Sequence, residues 1–147
     1  MNRIFKKIIL LIALGMVLAP AGAAAESSGL LTVKVLGFSG PTGVAMIAVS
    51  DSADAYSQES EKAFARTMQN VSGDQVQAVF QLPYGWYAIS VYHDENGNGK
   101  LDTNALGIPK ERYGFSNNAR GAFGKPDWDA VRFEINQPGL EMVINLQ

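Results

Sequence analysis

The chain contains no cysteine and only one histidine, His93. Without cysteine there are no disulfides and no lipoprotein-type anchor on an N-terminal cysteine. One histidine without cysteine cannot build the usual zinc site of three or four nitrogen and sulfur ligands. The chain also lacks a Gly-x-Ser-x-Gly elbow and the glycine motifs of phosphate-binding loops, so neither a serine hydrolase nor a nucleotide-binding enzyme is indicated.

Long apolar runs are missing except near the N-terminus, where the pattern is that of a signal peptide. Arg3, Lys6 and Lys7 precede an uncharged apolar run over 8–18, and three small residues follow at 23–25. We therefore expect residues 1–25 to be a secretory signal peptide that is cleaved after Ala25, because the apolar run is short for a membrane span. The sequence predicts a periplasmic or secreted protein.

Positive charge is scarce in the predicted mature chain, residues 26–147. Without the three basic residues of the signal peptide, 9 basic side chains face 14 acidic ones, a net charge of about −5. This balance argues against nucleic acid and against an anionic membrane surface as partners, and it is compatible with cations. A length of 122 residues is that of a single domain that can bury a core without disulfides.

The apolar pattern predicts an all-β fold. Alternating or continuous apolar runs, bounded by glycine and proline turns, predict six strands over 31–35, 44–49, 76–82, 86–93, 131–135 and 140–146. A few helical turns are expected near 59–68. Residues 103–128 show no sustained periodicity, so we predict an antiparallel immunoglobulin-like or prealbumin-like sandwich of about 6–8 strands with one long irregular loop.

The motif closest to metal chemistry directly follows the strongest predicted strand. Asp94, Asn96, Asn98 and Asp102 occupy positions 1, 3, 5 and 9 of an EF-hand-type calcium loop, and glycine occupies position 6. By analogy, the three side chains at positions 1, 3 and 5 supply oxygen ligands. Lys100 supplies its backbone carbonyl, and Asp102 binds directly or through water. Calcium is the predicted ion, since magnesium demands a tighter octahedral shell.

This loop is incomplete, because Ala105 stands at position 12, where a bidentate glutamate is expected. Water, or an oxygen from Glu111, Asn117 or Asn118, has to complete the ligand shell. The missing ligand and the low charge predict weak binding, on the order of 10⁻⁴–10⁻³ M as in extracellular modules. The alternative is a metal-free turn, since Asn-Gly pairs and Asx side chains also stabilise turns on their own.

Several motifs together resemble known sandwich families. The stretch 82–89, Leu-Pro-Tyr-Gly-Trp-Tyr-Ala-Ile, resembles a strand-turn-strand signature of transthyretin-like and collagen-adhesin B-type modules. With the segments 93–102, 107–111 and 113–118, the chain is similar to the bacterial exported domain-of-unknown-function family numbered 2141 over about 31–146. That resemblance implies an immunoglobulin-like or prealbumin-like sandwich but supplies no mechanism. Adhesin loops of this type usually end in an acidic residue, and Ala105 departs from that pattern.

Three functions follow from these observations. The preferred hypothesis is an exported, non-enzymatic binding or structural module with a weak calcium loop at 94–105 that organises residues 103–128. The alternative is a carrier of a small apolar or anionic ligand through the 103–128 loop, with a pocket lined by Tyr113, Phe115 and Arg112. The third is an enzyme that uses His93 and Asp94 as acid and base, but no nucleophile accompanies them.

Overall fold

The computed structural model describes residues 27–58 and 62–147, which form two β-sheets. The strands found there are β1 (Ser28–Leu36), β2 (Val44–Ser50), β3 (Ala65–Asn70), β4 (Gln75–Pro83), β5 (Gly85–Asp94), β6 (Tyr113–Phe115), β7 (Phe133–Ile135) and β8 (Gly139–Asn145). Short helices complete this part of the chain: α1 (Ala53–Ser57), a 3-10 helix (Ser116–Asn118) and α2 (Trp128–Val131). The predicted signal peptide, residues 1–25, lies outside the described residues.

The two sheets have different strand orders. The smaller sheet has the order β4-β1-β8, and the larger has the order β3-β2-β5-β6, with β7 paired to the start of β5. Neighbouring strands run antiparallel except β1 and β8, which are parallel, with Val33 opposite Met142. The prediction of an all-β, largely antiparallel sandwich is confirmed. The parallel pair joins elements from the two ends of the described chain, a relationship that residue alternation does not reveal.

The core lies between the two sheets. It is filled by aliphatic side chains that alternate with exposed residues, most regularly in β4, where every second residue is buried. Fully buried members come from both sheets, among them Leu31, Val33, Val35, Ile47, Val49, Ile89 and Ile144. Each such side chain contributes about 1.5–3 kcal/mol to the free energy of unfolding, so this apolar layer is the main source of stability.

Strand β5 is buried on both faces, because a second cluster covers the outer side of the larger sheet. Tyr56 from α1, Phe115 from β6 and Val131 from α2 pack together on Ala88 of β5. Residues 87–91 are consequently all buried, where a sheet with one solvated face would alternate. The described part of the chain contains no helix that is long and apolar enough to cross a membrane.

Three local expectations change. The helical turns expected near 59–68 are wrong for 65–68, which belong to β3, where Met68 pairs with Met46 of β2; residues 59–61 lie outside the described part. The strand predicted at 131–135 starts only at Phe133, because Val131 is the last residue of α2. The predicted irregular loop at 103–128 is present but contains β6 and the 3-10 helix.

Candidate functional site

Strand β5 leads directly into the predicted calcium loop, and its last residue organises that loop. Asp94 is only 2% exposed. Its Oδ1 accepts hydrogen bonds from the backbone N–H of Gly97 (2.8 Å) and Asn98 (3.1 Å), and its Oδ2 accepts one from Gly99 (2.7 Å). Gly97 and Gly99 have φ of +72° and +75°, a region that glycine enters without strain. One buried carboxylate thus folds the loop around itself.

Asp102 closes the loop from the opposite end. Its two carboxylate oxygens accept hydrogen bonds from the side-chain amides of Asn96 (2.6 Å) and Asn98 (2.9 Å). The amide oxygens of the same two asparagines accept the backbone N–H groups of Asn98 (3.0 Å) and Lys100 (2.8 Å), which is the Asx-turn pattern. The structure therefore brings all five predicted ligand residues into one closed loop, in which Lys100 takes part through its backbone.

Glu111 comes after the loop in the chain, and its side chain contacts the loop. Its side chain is 7% exposed. One carboxylate oxygen accepts the backbone N–H of Glu95 at 2.9 Å and the other accepts that of Asp102 at 2.8 Å. Of the three residues named as candidates to complete the site, Glu111 is the one that contacts it.

The side chains of Asn117 and Asn118 form hydrogen bonds with other parts of the fold. The Asn117 amide donates to the carbonyl oxygens of Ala130 and Arg132, which holds α2 in place. The Asn118 side chain donates to the Val143 carbonyl and accepts the Asn145 N–H at 2.8 Å, so it satisfies the free edge of β8. In these hydrogen bonds neither asparagine contacts the loop at 94–102.

The chain segment between Asp102 and Glu111 explains why position 12 of the calcium-loop pattern, Ala105, supplies no ligand. Residues 102–110 form a small antiparallel finger, in which Lys110 N–H donates to the Asp102 carbonyl and Asn104 N–H donates to that of Ile108, both at 2.8 Å. Ala105 lies exposed in this finger, away from the loop. The chain then returns, and the side chain of Glu111 contacts the loop at Glu95 and Asp102. A template of fixed length cannot anticipate such an insertion.

The carboxylates of this region lack basic partners in the described part of the chain. Ion pairs found there join Lys34 with Glu141, Lys62 with Asp54, and Arg132 with Asp129. Backbone N–H groups and asparagine amides, rather than cations, satisfy Asp94, Asp102 and Glu111. Across residues 27–58 and 62–147, however, no three His, Cys, Asp or Glu side chains converge closely enough to form a metal cluster by themselves. Any ion site here must include the amide and backbone oxygens.

His93 ties the β1–β2 connection to β5. It is 1% exposed, its Nε2 lies 2.6 Å from the Thr42 carbonyl oxygen, and its Nδ1 lies 2.9 Å from Ser39 Oγ. A carbonyl only accepts, so Nε2 carries a proton and donates it to the Thr42 carbonyl oxygen. Gly43 in the same connection has φ +80° and approaches Asp94 so closely that a Cβ there would lie 2.5 Å from the Asp94 carbonyl oxygen. This connection buttresses the start of the loop.

Three aromatic residues of the 103–128 segment fasten it to the sheet, whereas the fourth, Phe123, is fully exposed. The rings of Tyr113 and Phe115 pack edge to face at 5.9 Å within the second cluster, and Trp128 packs beside Tyr56. Arg112 turns away from them and donates to the Gly37 carbonyl oxygen at 3.1 Å. Tyr113 and Phe115 thus belong to the second cluster, whereas Arg112 contacts the β1–β2 connection, and these contacts give the carrier hypothesis no support.

Tyr56 also holds the 103–128 segment, and the sequence analysis did not identify it. Its hydroxyl donates to the Pro126 carbonyl at 3.0 Å, and the Lys125 ammonium lies 3.7 Å from its ring centroid. A tyrosine in a polar, alanine-containing stretch gives no periodic signal, so only its long-range contacts reveal it.

The fold and the loop define a β-sandwich module whose central strand ends in an Asx-rich turn. The chain belongs to the family described as "Uncharacterized protein conserved in bacteria (DUF2141)", whose model matches residues 33–142 and includes the whole loop. The family assignment made from the motifs is thereby confirmed. No curated protein matches the chain. No solved structure matches it either, so the likeness to transthyretin-like and adhesin modules stays a prediction.

Proposed function

We propose that this chain is an exported, non-enzymatic β-sandwich module whose loop 94–102 binds one calcium ion weakly. The observation that carries the proposal is the pair formed by Asp94 and Asp102. The buried Asp94 holds the loop closed through three backbone N–H groups, while Asp102 faces the side chains of Asn96 and Asn98. Two carboxylates and two amides of one loop thus take part in one hydrogen-bond network.

The hydrogen bonds leave room for a cation. A carboxylate or amide oxygen has two lone-pair directions. Two backbone N–H groups take both directions of Asp94 Oδ1, whereas Asp94 Oδ2 and the two asparagine oxygens each accept one backbone N–H and keep one direction for an ion. Asp102 would exchange its two amide donors for the ion, and the amides would turn their oxygens inward. With Lys100 contributing its backbone carbonyl, the ligands are Asp94, Asn96, Asn98, Lys100 and Asp102, and water completes the six to eight oxygens that calcium takes.

Glu111 supports the loop rather than completing the shell as a direct ligand. Both of its oxygens hold backbone N–H groups, at Glu95 and at Asp102. Bound calcium would therefore stabilise the ends of the loop and the 102–110 finger together. With only two charged ligands, we expect a dissociation constant on the order of 10⁻⁴–10⁻³ M, matched to calcium outside the cytoplasm.

Calorimetric titration and thermal unfolding of the purified protein test this proposal. Calcium should give binding heat, and a calcium concentration of ten dissociation constants should add about 1.4 kcal/mol to the free energy of unfolding. Magnesium should give a smaller shift, because the loop cannot impose octahedral geometry. The proposal is overturned if about 10 mM calcium produces neither heat nor a shift in the unfolding midpoint.

The matched variants are Asp102→Asn and Asp74→Asn. The first keeps the shape of the side chain but removes the charge that faces Asn96 and Asn98, so the response to calcium should be lost. Asp74 lies exposed in the turn before β4, far along the chain from the loop. Its variant should respond to calcium like the unaltered protein, which separates loss of the site from loss of general negative charge.

The surroundings of His93 support the absence of enzymatic activity in this proposal. The ring is buried, and both nitrogens are engaged by Thr42 and Ser39. A general base must reach the proton that it abstracts in a bound substrate. A hydrolytic activity that is lost in His93→Gln but retained in Asp102→Asn would contradict the non-enzymatic assignment.

A further inference from the structure

The outer face of the larger sheet carries an open groove that neither the loop nor the second cluster fills. Its volume is about 900 Å³, within the range of small-molecule sites. The floor is formed by three neighbouring strands, since Met46 of β2 pairs with Met68 of β3 on one side and with Tyr92 of β5 on the other. Met68 is 68% exposed, and two methionines give this floor an adaptable apolar surface.

The loop itself forms one wall of this groove. Gly99, Lys100 and Leu101 line it. The Tyr92 hydroxyl donates to the Gly99 carbonyl oxygen at 2.9 Å, and the Gly99 N–H donates to Asp94 Oδ2 at 2.7 Å. Gly99 therefore connects Tyr92 in the floor of the groove with Asp94, the first proposed calcium ligand.

Two basic side chains contribute to the lining of the groove. Arg66 and Lys100 are the charged side chains among the described residues that line it, and no carboxylate from that part of the chain is present in the lining. This differs from the chain as a whole, where acidic residues exceed basic ones by 14 to 12. Lys100 belongs to the wall of a groove whose floor is apolar, which suits a ligand with an apolar body and an anionic end.

We infer that this groove binds a single-chain carboxylate of the fatty-acid class, and that calcium in the adjacent loop strengthens that binding. The chain lies along Met46, Met68 and the Tyr92 ring, and the carboxylate lies near the Lys100 ammonium. The existence of the groove site is independent of the calcium site. The coupling rests on the proposed function, because it requires an ion to fix Asp94 and, through Gly99, the wall.

Coupling of this kind is reciprocal. If calcium raises the affinity for the carboxylate by a given factor, the carboxylate raises the affinity for calcium by the same factor. A titration with octanoate at two calcium levels and a titration with calcium at two octanoate levels therefore have to give the same factor. A nonspecific effect of ligand or salt would not produce this agreement.

Octanoate is a suitable probe, since a short chain limits precipitation of its calcium salt. The purified full chain is titrated calorimetrically with octanoate, with octanol and with octylammonium, each in calcium and in chelator. We expect octanoate to bind, octanol to bind about tenfold more weakly for lack of the charge, and octylammonium not to bind measurably. Calcium should raise the affinity for octanoate about fivefold or more.

Met68→Asp and Val79→Asp form a matched pair of variants. Both positions are exposed strand residues, Met68 in the groove and Val79 on the outer face of the smaller sheet. Met68→Asp should weaken octanoate binding about tenfold or more, because it places a carboxylate on the apolar floor beside the ligand's chain. Val79→Asp should leave octanoate binding unchanged. Lys100→Gln should reduce the preference for octanoate over octanol without abolishing the binding of either.

The outcomes separate the two proposals. Octanoate binding without any calcium binding retains the groove and overturns the proposed function. Calcium binding with no octanoate binding, or with equal loss in both aspartate variants, overturns the groove. Equal octanoate affinity in calcium and chelator, in a protein that binds calcium, overturns the coupling. A dimer that Met68→Asp dissociates, with no octanoate heat, would assign the groove to a second copy of the chain and overturn the ligand.

Discussion

The carboxylate of Glu111 lies 2.8 Å from the backbone nitrogen of Asp102 and accepts its hydrogen bond across the base of the 102–110 finger. The other Glu111 oxygen takes the N–H of Glu95, so one buried side chain holds both ends of the loop. A carboxylate that accepts two backbone N–H bonds is satisfied without a cation of its own. The loop is consequently held from outside by Glu111 and from inside by Asp94.

Glu111→Gln should destabilise the protein and weaken its response to calcium. Glutamine retains one acceptor oxygen, but its NH2 group would face a backbone N–H, so one buried donor loses its partner. The expected loss in the free energy of unfolding is about 1–3 kcal/mol. Urea denaturation measures it. Glu141→Gln is the control, because Glu141 is exposed in β8 and forms only a 3.5 Å surface pair with Lys34; equal midpoints for the two variants would contradict this role.

The sequence predicted the sandwich well, because residues such as Val76, Ala78, Phe80 and Leu82 alternate strictly with exposed neighbours. It could not assign β3, where the apolar Met68 points to solvent and polar Thr67 faces inward, so the pattern does not separate strand from helix. Nor could it show that the chain returns at Glu111. The five loop residues came from fixed spacing, whereas Glu111 depends on a nine-residue finger whose geometry is tertiary.

Gly43→Ala should cost more stability than Gly97→Ala. Both glycines have positive φ, +80° and +72°, so alanine is strained by roughly 1–2 kcal/mol at either position. At Gly97 the added Cβ meets nothing within 4 Å, whereas at Gly43 it lies 2.5 Å from the Asp94 carbonyl oxygen. That overlap should add about 1–3 kcal/mol. Urea denaturation of both variants measures the difference, and equal losses would show that the β1–β2 connection does not press on the loop.

Ser116→Ala and Ser90→Ala should have opposite effects, although both serines are buried. Ser116 Oγ accepts the N–H of Ile89 at 3.0 Å and donates to the carbonyl of Val131, which joins β5 to α2. Its loss leaves two buried backbone groups unpaired and should cost about 2–4 kcal/mol. Ser90 Oγ has no hydrogen-bond partner in the described part of the chain, so alanine there should be neutral or stabilising by up to about 1 kcal/mol.

Thermal unfolding of Ser116→Ala and Ser90→Ala measures the change in stability that each substitution causes. A Ser90→Ala variant that is destabilised as strongly as Ser116→Ala would mean that the Ser90 hydroxyl has a partner. Ser90 pairs with Phe115 of β6 and with Ala48 of β2, next to the groove, so a bound molecule on this face would be the first candidate.

Tyr87 should make stability sensitive to alkaline pH. Burial, and secondarily the charge of Asp51, raises the pKa of Tyr87 above its usual value of 10.0, and the neutral hydroxyl donates to the Pro83 carbonyl at 2.9 Å. Because the folded-state pKa is the higher one, the unfolded chain releases this proton first. The contribution of Tyr87 is therefore complete below pH 10.0 and is lost as pH rises through the folded-state pKa.

Tyr87→Phe tests this directly in urea denaturation at a series of pH values. At neutral pH the variant should be less stable by about 1 kcal/mol, since the hydrogen bond to Pro83 is missing. Above pH 10.0 the difference should shrink, because only the unaltered protein must keep a buried phenol protonated. Tyr84→Phe, at a position that is 39% exposed, is the control for the loss of an exposed tyrosine hydroxyl. A Tyr87→Phe difference that stays constant through alkaline pH would mean that burial does not hold the Tyr87 hydroxyl in its neutral form.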